Sequence, residues 1–322
     1  MSKKVKYSVV VAVYNRPEEM IELLKSIADQ TFRDLEIIIV DDGSDRSSRL
    51  AFQKFKSKLN LSYFFTENQG PALARNFGVK KSEGEWVIFF DSDCTIPKNY
   101  FFVVEKFLAE NNVSLYGGPD MMDESFSYLQ KSINFSMTSL LTTGGIRGNK
   151  ISIDKFLPRS FNMGIKREAF DEVDGFSNIR QYGEDLDLSY KLIFSGKKSS
   201  LIPKAKVFHK RRTNLLNFFN QMYKSGKGRH LLNIKYKNTF KLFHLFPSLF
   251  IFIFILSQIL FVFFENKLGM IIQVGYGIYF CLIFFSSSTI NKNPIIGLLS
   301  IITTLTQFLG YGIGYIIGLL KK

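Results

Sequence analysis

Two segments of this chain deliver carboxylates in pairs: Val40-Asp41-Asp42-Gly43-Ser44 and Phe89-Phe90-Asp91-Ser92-Asp93. Each follows an apolar run that reads as a buried strand, Leu35 to Val40 for the first and Trp86 to Phe90 for the second. Strand ends are where open α/β sheets hold their ligands. An Asp-x-Asp pair at such an end suits a divalent cation, and the cation in turn suits a diphosphate. A lone Asp-x-Asp reads more plainly as a solvated acidic turn. Its place after an apolar strand, with a second acidic strand end upstream, favours a site. Asp41 and Asp42 fit two descriptions: turn residues that cap the following segment, or a hydrogen-bond partner for a nucleobase or ribose.

The elements that must position these acids alternate along the first third of the chain. Ser8 to Val13 is a β-branched run, and Pro17 to Asp29 is helical, with Met20, Leu23, Leu24 and Ile27 on one face. Leu35 to Val40, Leu61 to Phe65 and Trp86 to Phe90 read as strands, and Arg49 to Lys58 and Pro71 to Val79 as helices. Such alternation predicts a parallel sheet covered by helices on both faces. Residues 111–200 are less regular. Gly117-Gly118-Pro119 and Thr142-Thr143-Gly144-Gly145 mark turns, and Arg167 to Val173 is a short helix. Gly183-Glu184-Asp185 opens another helix, with Leu186, Tyr190, Ile193 and Phe194 on one face and Gly196 as its stop.

From Lys204 to Lys241 the chain is strongly basic, with Phe218, Phe219, Met222 and Tyr223 interleaved. The segment reads as an amphipathic interface element on anionic headgroups rather than a merely solvated basic helix, because apolar runs follow at once. These are Leu245 to Phe264, Leu268 to Phe285 and Pro294 to Leu320, each near the ~20 residues that span a bilayer. Gln273 and several small residues interrupt the second run, which leaves a re-entrant segment open. Gly310, Gly314 and Gly318 form a stripe that allows close helix packing. The division expected is thus a catalytic domain over 1–203, a basic interface segment over 204–244 and about three transmembrane helices over 245–322.

The 322 residues carry a formal net charge of +14, which asks for an anionic partner such as nucleotide phosphate, nucleic acid or lipid. The basic residues crowd next to apolar spans and form no recognition motif, which argues against nucleic acid. Cys94 and Cys281 do not read as a disulfide, and the soluble part is expected in a reducing compartment. The start, Met1 to Lys6 with a short apolar stretch after it, does not read as a signal peptide. The positive-inside tendency puts the basic segment, and the domain before it, on the cytoplasmic side of a cell (inner or plasma) membrane.

The order and spacing of Val11-Ala12-Val13-Tyr14-Asn15-Arg16, Val40-Asp41-Asp42-Gly43-Ser44, Gly70-Pro71-Ala72-Leu73-Ala74-Arg75-Asn76 and Asp91-Ser92-Asp93 resemble the family-two inverting glycosyltransferases. Phe161-Asn162-Met163-Gly164 and Gly183-Glu184-Asp185-Leu186-Asp187-Leu188 resemble that family as well, so the likeness covers roughly residues 5–225. It implies a GT-A fold, Rossmann-like with a mostly parallel sheet, followed here by the helical membrane region. It also implies a nucleotide-sugar donor, expected to be a UDP-sugar, and a Mg2+ or Mn2+ ion. Ala12, Tyr14, Asn15 and Asp42 would surround the nucleoside, Arg75 and Ser92 would sit near the nucleotide, and Asp91 and Asp93 would hold the diphosphate through the metal.

Asp185 would be the base, and its place in the first turn of a helix favours the ionised form that a base requires. Asn162, Glu184, His209 and Arg212 are expected on the acceptor or phosphate side; the plainer reading of the basic ones is a positive-inside cluster. Processive members of the family carry Gln-x-x-Arg-Trp after the base, whereas this chain has Gln221-Met222-Tyr223-Lys224-Ser225, which argues against processive polymerisation. The function implied is transfer of one sugar to a lipid-linked or polysaccharide acceptor in cell-envelope glycan assembly. Transfer to polyprenyl phosphate, or an inactive membrane scaffold, are the alternatives; intact Asp91, Asp93 and Asp185 argue against the scaffold.

Overall fold

The computed structural model describes residues 5–146, 156–179 and 183–320, so the basic start at residues 1–4 lies outside it. Strands and helices alternate first: β1 (Tyr7–Val13), α1 (Pro17–Ala28), β2 (Leu35–Asp42), α2 (Arg49–Phe55), β3 (Leu61–Thr66), α3 (Pro71–Lys80) and β4 (Trp86–Phe89). Then come β5 (Cys94–Thr95), α4 (Tyr100–Glu110), β6 (Leu115–Gly117), β7 (Asp120–Met121), α5 (Tyr128–Thr138), α6 (Leu140–Thr143), β8 (Met163–Lys166), α7 (Arg167–Glu172), α8 (Glu184–Phe194), β9 (Ser199–Leu201) and β10 (Val207–His209). The rest is helical: α9 (Leu215–Lys235), a 3-10 turn at Leu242–His244, α10 (Phe246–Phe264), α11 (Lys267–Asn291) and α12 (Pro294–Leu320).

The chain forms two compact units. The first takes the described residues within 1–123, 146–180 and 184–210. Its seven-stranded sheet has the order β3-β2-β1-β4-β8-β6-β9. β1, β2, β3 and β4 pair in parallel, while β8 runs antiparallel between β4 and β6. Side chains alternate across it with period two. Val9, Val11 and Val13 join Ile37, Ile39, Ile88 and the apolar face of α1 in one core, and Val10 joins Ile38, Val40, Val87 and Phe89 in the other. Burial on both faces explains why these strands read as continuous apolar runs. A three-stranded sheet, β5-β10-β7, joins β5, just after the Asp-x-Asp turn, to strands from later in the chain.

The strand order reverses at β1, whose neighbours are β2 on one side and β4 on the other. The crevice beyond the carboxyl ends of these three strands is where such a sheet binds ligands. α3 approaches closely: a Cβ built on Gly78 would meet the Val10 and Val40 side chains. Arg75, one turn earlier, is thereby buried at the crevice end of the helix. In α8 the core face is only partly the one expected, with Leu186 buried as foreseen. Leu188 and Leu192 enter the core, while Tyr190 stacks on the exposed Phe194. Apolar residues spaced four apart lie on both sides of this helix, and packing rather than periodicity selects one.

The second unit takes the described residues within 124–145, 181–183 and 211–322. It is helical, and α10, α11 and α12 are each long and apolar enough to cross a membrane. α11 is one continuous helix and not a re-entrant pair of segments. The interrupting Gln273 is satisfied by donating to Ser257 O at 3.2 Å. The glycine stripe of α12 lies against α9: Gly310 faces Phe219 O, Gly314 faces Tyr223 O and Gly318 faces the His230 ring. Gly226 of α9 returns the contact against Tyr311 O. The basic helix is thus packed along α12 through backbones in close approach, an arrangement that small residues permit. α5 joins them through Ser136 Oγ and Thr303 Oγ1, 2.6 Å apart.

Gly314→Leu would drive a side chain into the α9 backbone, whereas Gly275 on α11 has nothing within 4 Å of a built Cβ. Overpacking of this kind costs about 1–3 kcal/mol or more. The expected result is a clearly lowered melting temperature in detergent for Gly314→Leu and little change for Gly275→Leu.

Candidate functional site

The loop after β1 starts the site. Asn15 adopts a left-handed backbone (φ 54°), which Asn tolerates better than most residues. It is fixed from both ends: its N–H donates to Ser44 Oγ at 2.8 Å, and its Oδ1 accepts from Arg46 N at 2.9 Å. The loops after β1 and β2 are therefore one braced surface. Tyr14 is half exposed there, and Ala12 is half-buried beneath it.

Asp41 and Asp42 take different partners. Asp41 is fully buried and accepts from Ser44 N (3.1 Å), Ser48 N (2.9 Å) and Tyr63 Oη (2.7 Å). It shapes its own loop, as a turn carboxylate does. Asp42 accepts from Gln69 N (3.0 Å) and Gly70 N (2.9 Å), and so fixes the loop that leads into α3.

After β4 the chain closes a turn in which Cys94 N donates to Asp91 O at 3.0 Å. Ser92 is buried within it, and the two carboxylates diverge to different cations. Asp91 Oδ1 accepts from Arg75 Nη2 at 2.8 Å. Asp93 Oδ2 pairs with Arg16 Nη1, and Asp93 Oδ1 lies 3.2 Å from His209 Nε2. Burial alone would raise the Asp93 pKa, but His209 and Arg16 hold it far below the usual carboxylate range. His209 responds in the opposite sense: burial lowers its pKa, and the charge of Asp93 more than restores it.

β10 carries His209 in register with Cys94 of β5, and its ring stacks on Phe161 at 5.2 Å. Nδ1 lies 3.9 Å from Asp120 Oδ2 on β7. Asp93, Cys94 and His209 each offer a ligand atom within 4.8 Å of the others, and no other set of three such residues does so among the described residues. Asp93 Oδ1 is buried without a hydrogen bond of good geometry, as an oxygen awaiting a cation would be. Carboxylate and imidazole therefore fit a divalent metal. Burial pushes the Cys94 thiol up, which weakens it as a ligand. Asp91, expected as a second ligand, is instead held by Arg75 and lies outside this group.

Arg75 joins the two acidic motifs. It is buried, and its Nη1 reaches Glu184 Oε1 at 3.1 Å while Nη2 holds Asp91. The Phe176 ring lies 5.5 Å from the guanidinium. Asn76 steadies that ring's backbone by two hydrogen bonds, donating to Phe176 O and accepting from Phe176 N. Glu184 is raised by burial and by the charge of Asp185, against the lowering effect of Arg75. Asp185 follows in the first turn of α8, partly exposed, with Arg159 Nη1 3.8 Å from its Oδ2.

One turn, closed by Asn162 N donating to Arg159 O at 2.9 Å, reaches several of these groups. Arg159 approaches Asp185, Ser160 Oγ lies 3.4 Å from Asp91 Oδ1, and Phe161 stacks on His209. Asn162 points inward. It is fully buried, accepts from Tyr100 Oη at 2.6 Å and donates to Ala205 O at 2.7 Å. An internal brace has replaced the acceptor-side residue expected from the sequence. Asn162→Ala should leave two buried groups unpaired and cost about 1–3 kcal/mol, read as a lower melting temperature with little change in metal affinity.

The run His209-Lys210-Arg211-Arg212 does not act as one cluster. Lys210 pairs with Glu22 at 2.7 Å, and the buried Arg211 donates to Asn134 Oδ1 at 2.8 Å. Arg212 belongs to the second unit. Sequence reasoning gave no role to Arg16, Asp120, Arg159 or Phe161. Arg16 lay inside a quoted motif and Asp120 beside a marked turn, but nothing local to Arg159 announced its contact.

The model for "Glycosyl transferase family 2" matches residues 8–174. An uncharacterized glycosyltransferase of Rickettsia bellii is 37% identical over 130 residues, 40% of this chain and 19% of that protein. The poly(ribitol-phosphate) beta-N-acetylglucosaminyltransferase TarS of Staphylococcus aureus is 38% identical over 111 residues, 33% of this chain and 19% of that protein. The chain thus spans about a fifth of the length of these relatives. Among solved structures, the mannosyltransferase PcManGT from Pyrobaculum calidifontis, in complex with GDP-Man and Mn2+, superposes with a TM-score of 0.64 at 15% identity. That match covers 94% of this chain and 88% of the other. TarS 1–349 with UDP-GlcNAc gives 0.52 at 19% identity, covering 96% and 90%. At these identities the structures establish the GT-A fold.

Proposed function

Because the chain belongs to glycosyl transferase family 2, we propose that it transfers a single sugar, with inversion, from a nucleoside-diphosphate donor to a hydroxyl of a lipid-linked or polysaccharide acceptor in cell-envelope glycan assembly. The observation that carries this reading is the Arg75 bridge. One buried guanidinium joins Asp91 to Glu184, so the two acidic motifs meet in one crevice with Asp185 beside them.

In this reading the loops carrying Ala12, Tyr14, Asn15 and Asp42 receive the nucleoside, and Asp42 acts by fixing the Gln69–Gly70 backbone that forms its wall. Asp93 and His209 would hold Mg2+ or Mn2+, with Asp91 and Ser92 supporting the turn. When bound, the ion neutralises the diphosphate of the departing nucleotide. Asp185 takes the proton from the acceptor hydroxyl as that oxygen attacks the anomeric carbon, and the bond to the diphosphate breaks on the opposite face. One base and one attack give inversion without a covalent intermediate, unlike the paired carboxylates of a glycoside hydrolase.

Mn2+ and GDP-Man in PcManGT, and UDP-GlcNAc in TarS, support a metal-dependent sugar-nucleotide donor. The acceptor named for TarS, poly(ribitol phosphate), supports an envelope polymer or its lipid-linked precursor. Three helices long and apolar enough to cross a membrane support a cell-membrane location with the catalytic unit cytoplasmic. The test is nucleoside-diphosphate release by the full chain in detergent, across UDP- and GDP-sugars, with envelope extract or polyprenyl phosphate as acceptor. Release that requires Mg2+ or Mn2+ and extract is expected. Release with polyprenyl phosphate alone favours that acceptor, and no release with any donor overturns the reading.

A further inference from the structure

Asp93 has a cation on each side. Arg16 leaves the end of β1 just before Pro17 opens α1, and its guanidinium covers Asp93 Oδ2. His209 stands 3.2 Å from the other oxygen. The Asp93 side chain is 7% exposed, whereas Arg16 keeps 31% of its side chain in contact with solvent. The anchored partner is therefore the carboxylate, and the guanidinium is the one with room to leave. A divalent ion on Asp93 Oδ1 would meet the charge of Arg16 on the other oxygen of the same carboxylate, and one buried carboxylate does not hold both cations at low cost. The residues just before Arg16 are Tyr14 and Asn15, at the loop where the donor reading puts the nucleoside, so a short swing keeps the guanidinium beside an incoming diphosphate.

We propose that Arg16 is an exchangeable counter-ion: it neutralises Asp93 while the metal is absent, releases the carboxylate when the metal binds, and then contacts the donor diphosphate. The inference rests on the metal site proposed above. It gives the site a reason to load metal and nucleotide together, since each step makes the other easier. No bond is made or broken in the exchange; one ion pair is traded for another.

The experiment measures Mn2+ binding to the full chain in detergent by electron paramagnetic resonance, alone and with UDP or GDP, for wild type, Arg16→Gln, Arg16→Lys and Asp93→Asn. Arg16→Gln is expected to bind Mn2+ alone about tenfold more tightly, and to bind the nucleoside diphosphate at saturating Mn2+ about tenfold more weakly. That is the size of one charge-assisted hydrogen bond. Arg16→Lys, which keeps the charge, should stay near wild type in Mn2+ affinity, and melting curves confirm that each variant is folded. Unchanged or weakened Mn2+ binding in Arg16→Gln overturns the exchange. Tighter Mn2+ with unchanged nucleotide affinity overturns the diphosphate contact. If Asp93→Asn itself retains Mn2+ affinity, the metal site is elsewhere and the reading beneath this proposal fails instead.

Discussion

Asp93→Asn should abolish metal-dependent binding of a nucleoside diphosphate, weakening it by about 100-fold or more at fixed Mn2+. The side chain is buried, and its two cationic neighbours keep it ionised. Asparagine keeps the shape but supplies only a neutral oxygen, which a hard cation binds poorly. Replacing Asp91 should act differently. That carboxylate is bound to Arg75, and Asp91→Asn would loosen the link to Glu184 while leaving Asp93 and His209 paired. Mn2+ affinity should therefore fall far more in Asp93→Asn than in Asp91→Asn. Calorimetric titration with UDP and GDP in the presence and absence of Mn2+ separates the two. Equal affinity with and without the metal in wild type would refute the metal role altogether.

Asp185→Asn should spare donor binding and remove transfer, lowering kcat by about 10³-fold, within the range for loss of a general base. The substitution keeps the side-chain volume and the oxygen that Leu186 N donates to at 2.7 Å. It removes the charge that takes up the proton in the proposed mechanism. Glu184→Gln is the informative contrast, because Glu184 touches Arg75 and would disturb the bridge to Asp91 rather than the proton transfer. A nucleoside-diphosphate dissociation constant within about threefold of wild type, together with the lost kcat, distinguishes a base from a binding residue. Wild-type turnover in Asp185→Asn would move the base elsewhere.

Much of this arrangement was legible before any coordinates. Val9 to Val13, Leu35 to Val40 and Trp86 to Phe89 are buried on both faces, so composition alone marked them as strands. Pro17 and Pro71 marked the starts of α1 and α3, where the missing N–H is harmless. The three apolar helices followed from length and composition in the same way.

Side-chain pairing across the sheet was not legible. β8 enters antiparallel between β4 and β6, and the turn before it carries Arg159 to Asp185, Phe161 to His209 and Asn162 into the core. None of those partners is near in sequence, and no periodicity encodes strand order. Asn162 shows the consequence. A polar residue in a quoted motif reads as a ligand-binding group until Tyr100 and Ala205 are seen to take both ends of its amide. The basic stretch after Lys204 holds a feature that its charges do not announce: Gly226 and the three glycines of α12 bring α9 close against a partner helix. The charges are spread along that helix, whereas the contact combines the glycines with Met222, Asn233 and His230 against Tyr311 and Tyr315.

The most direct measurement is a crystal structure of the full chain with Mn2+ and a nucleoside diphosphate, recorded at the manganese absorption edge. An anomalous peak against the Asp93 carboxylate, with the Asp185 carboxylate lining the same cavity beside the bound diphosphate, is the expected result. A peak remote from Asp93, or an Asp185 turned away from the diphosphate, would contradict the account.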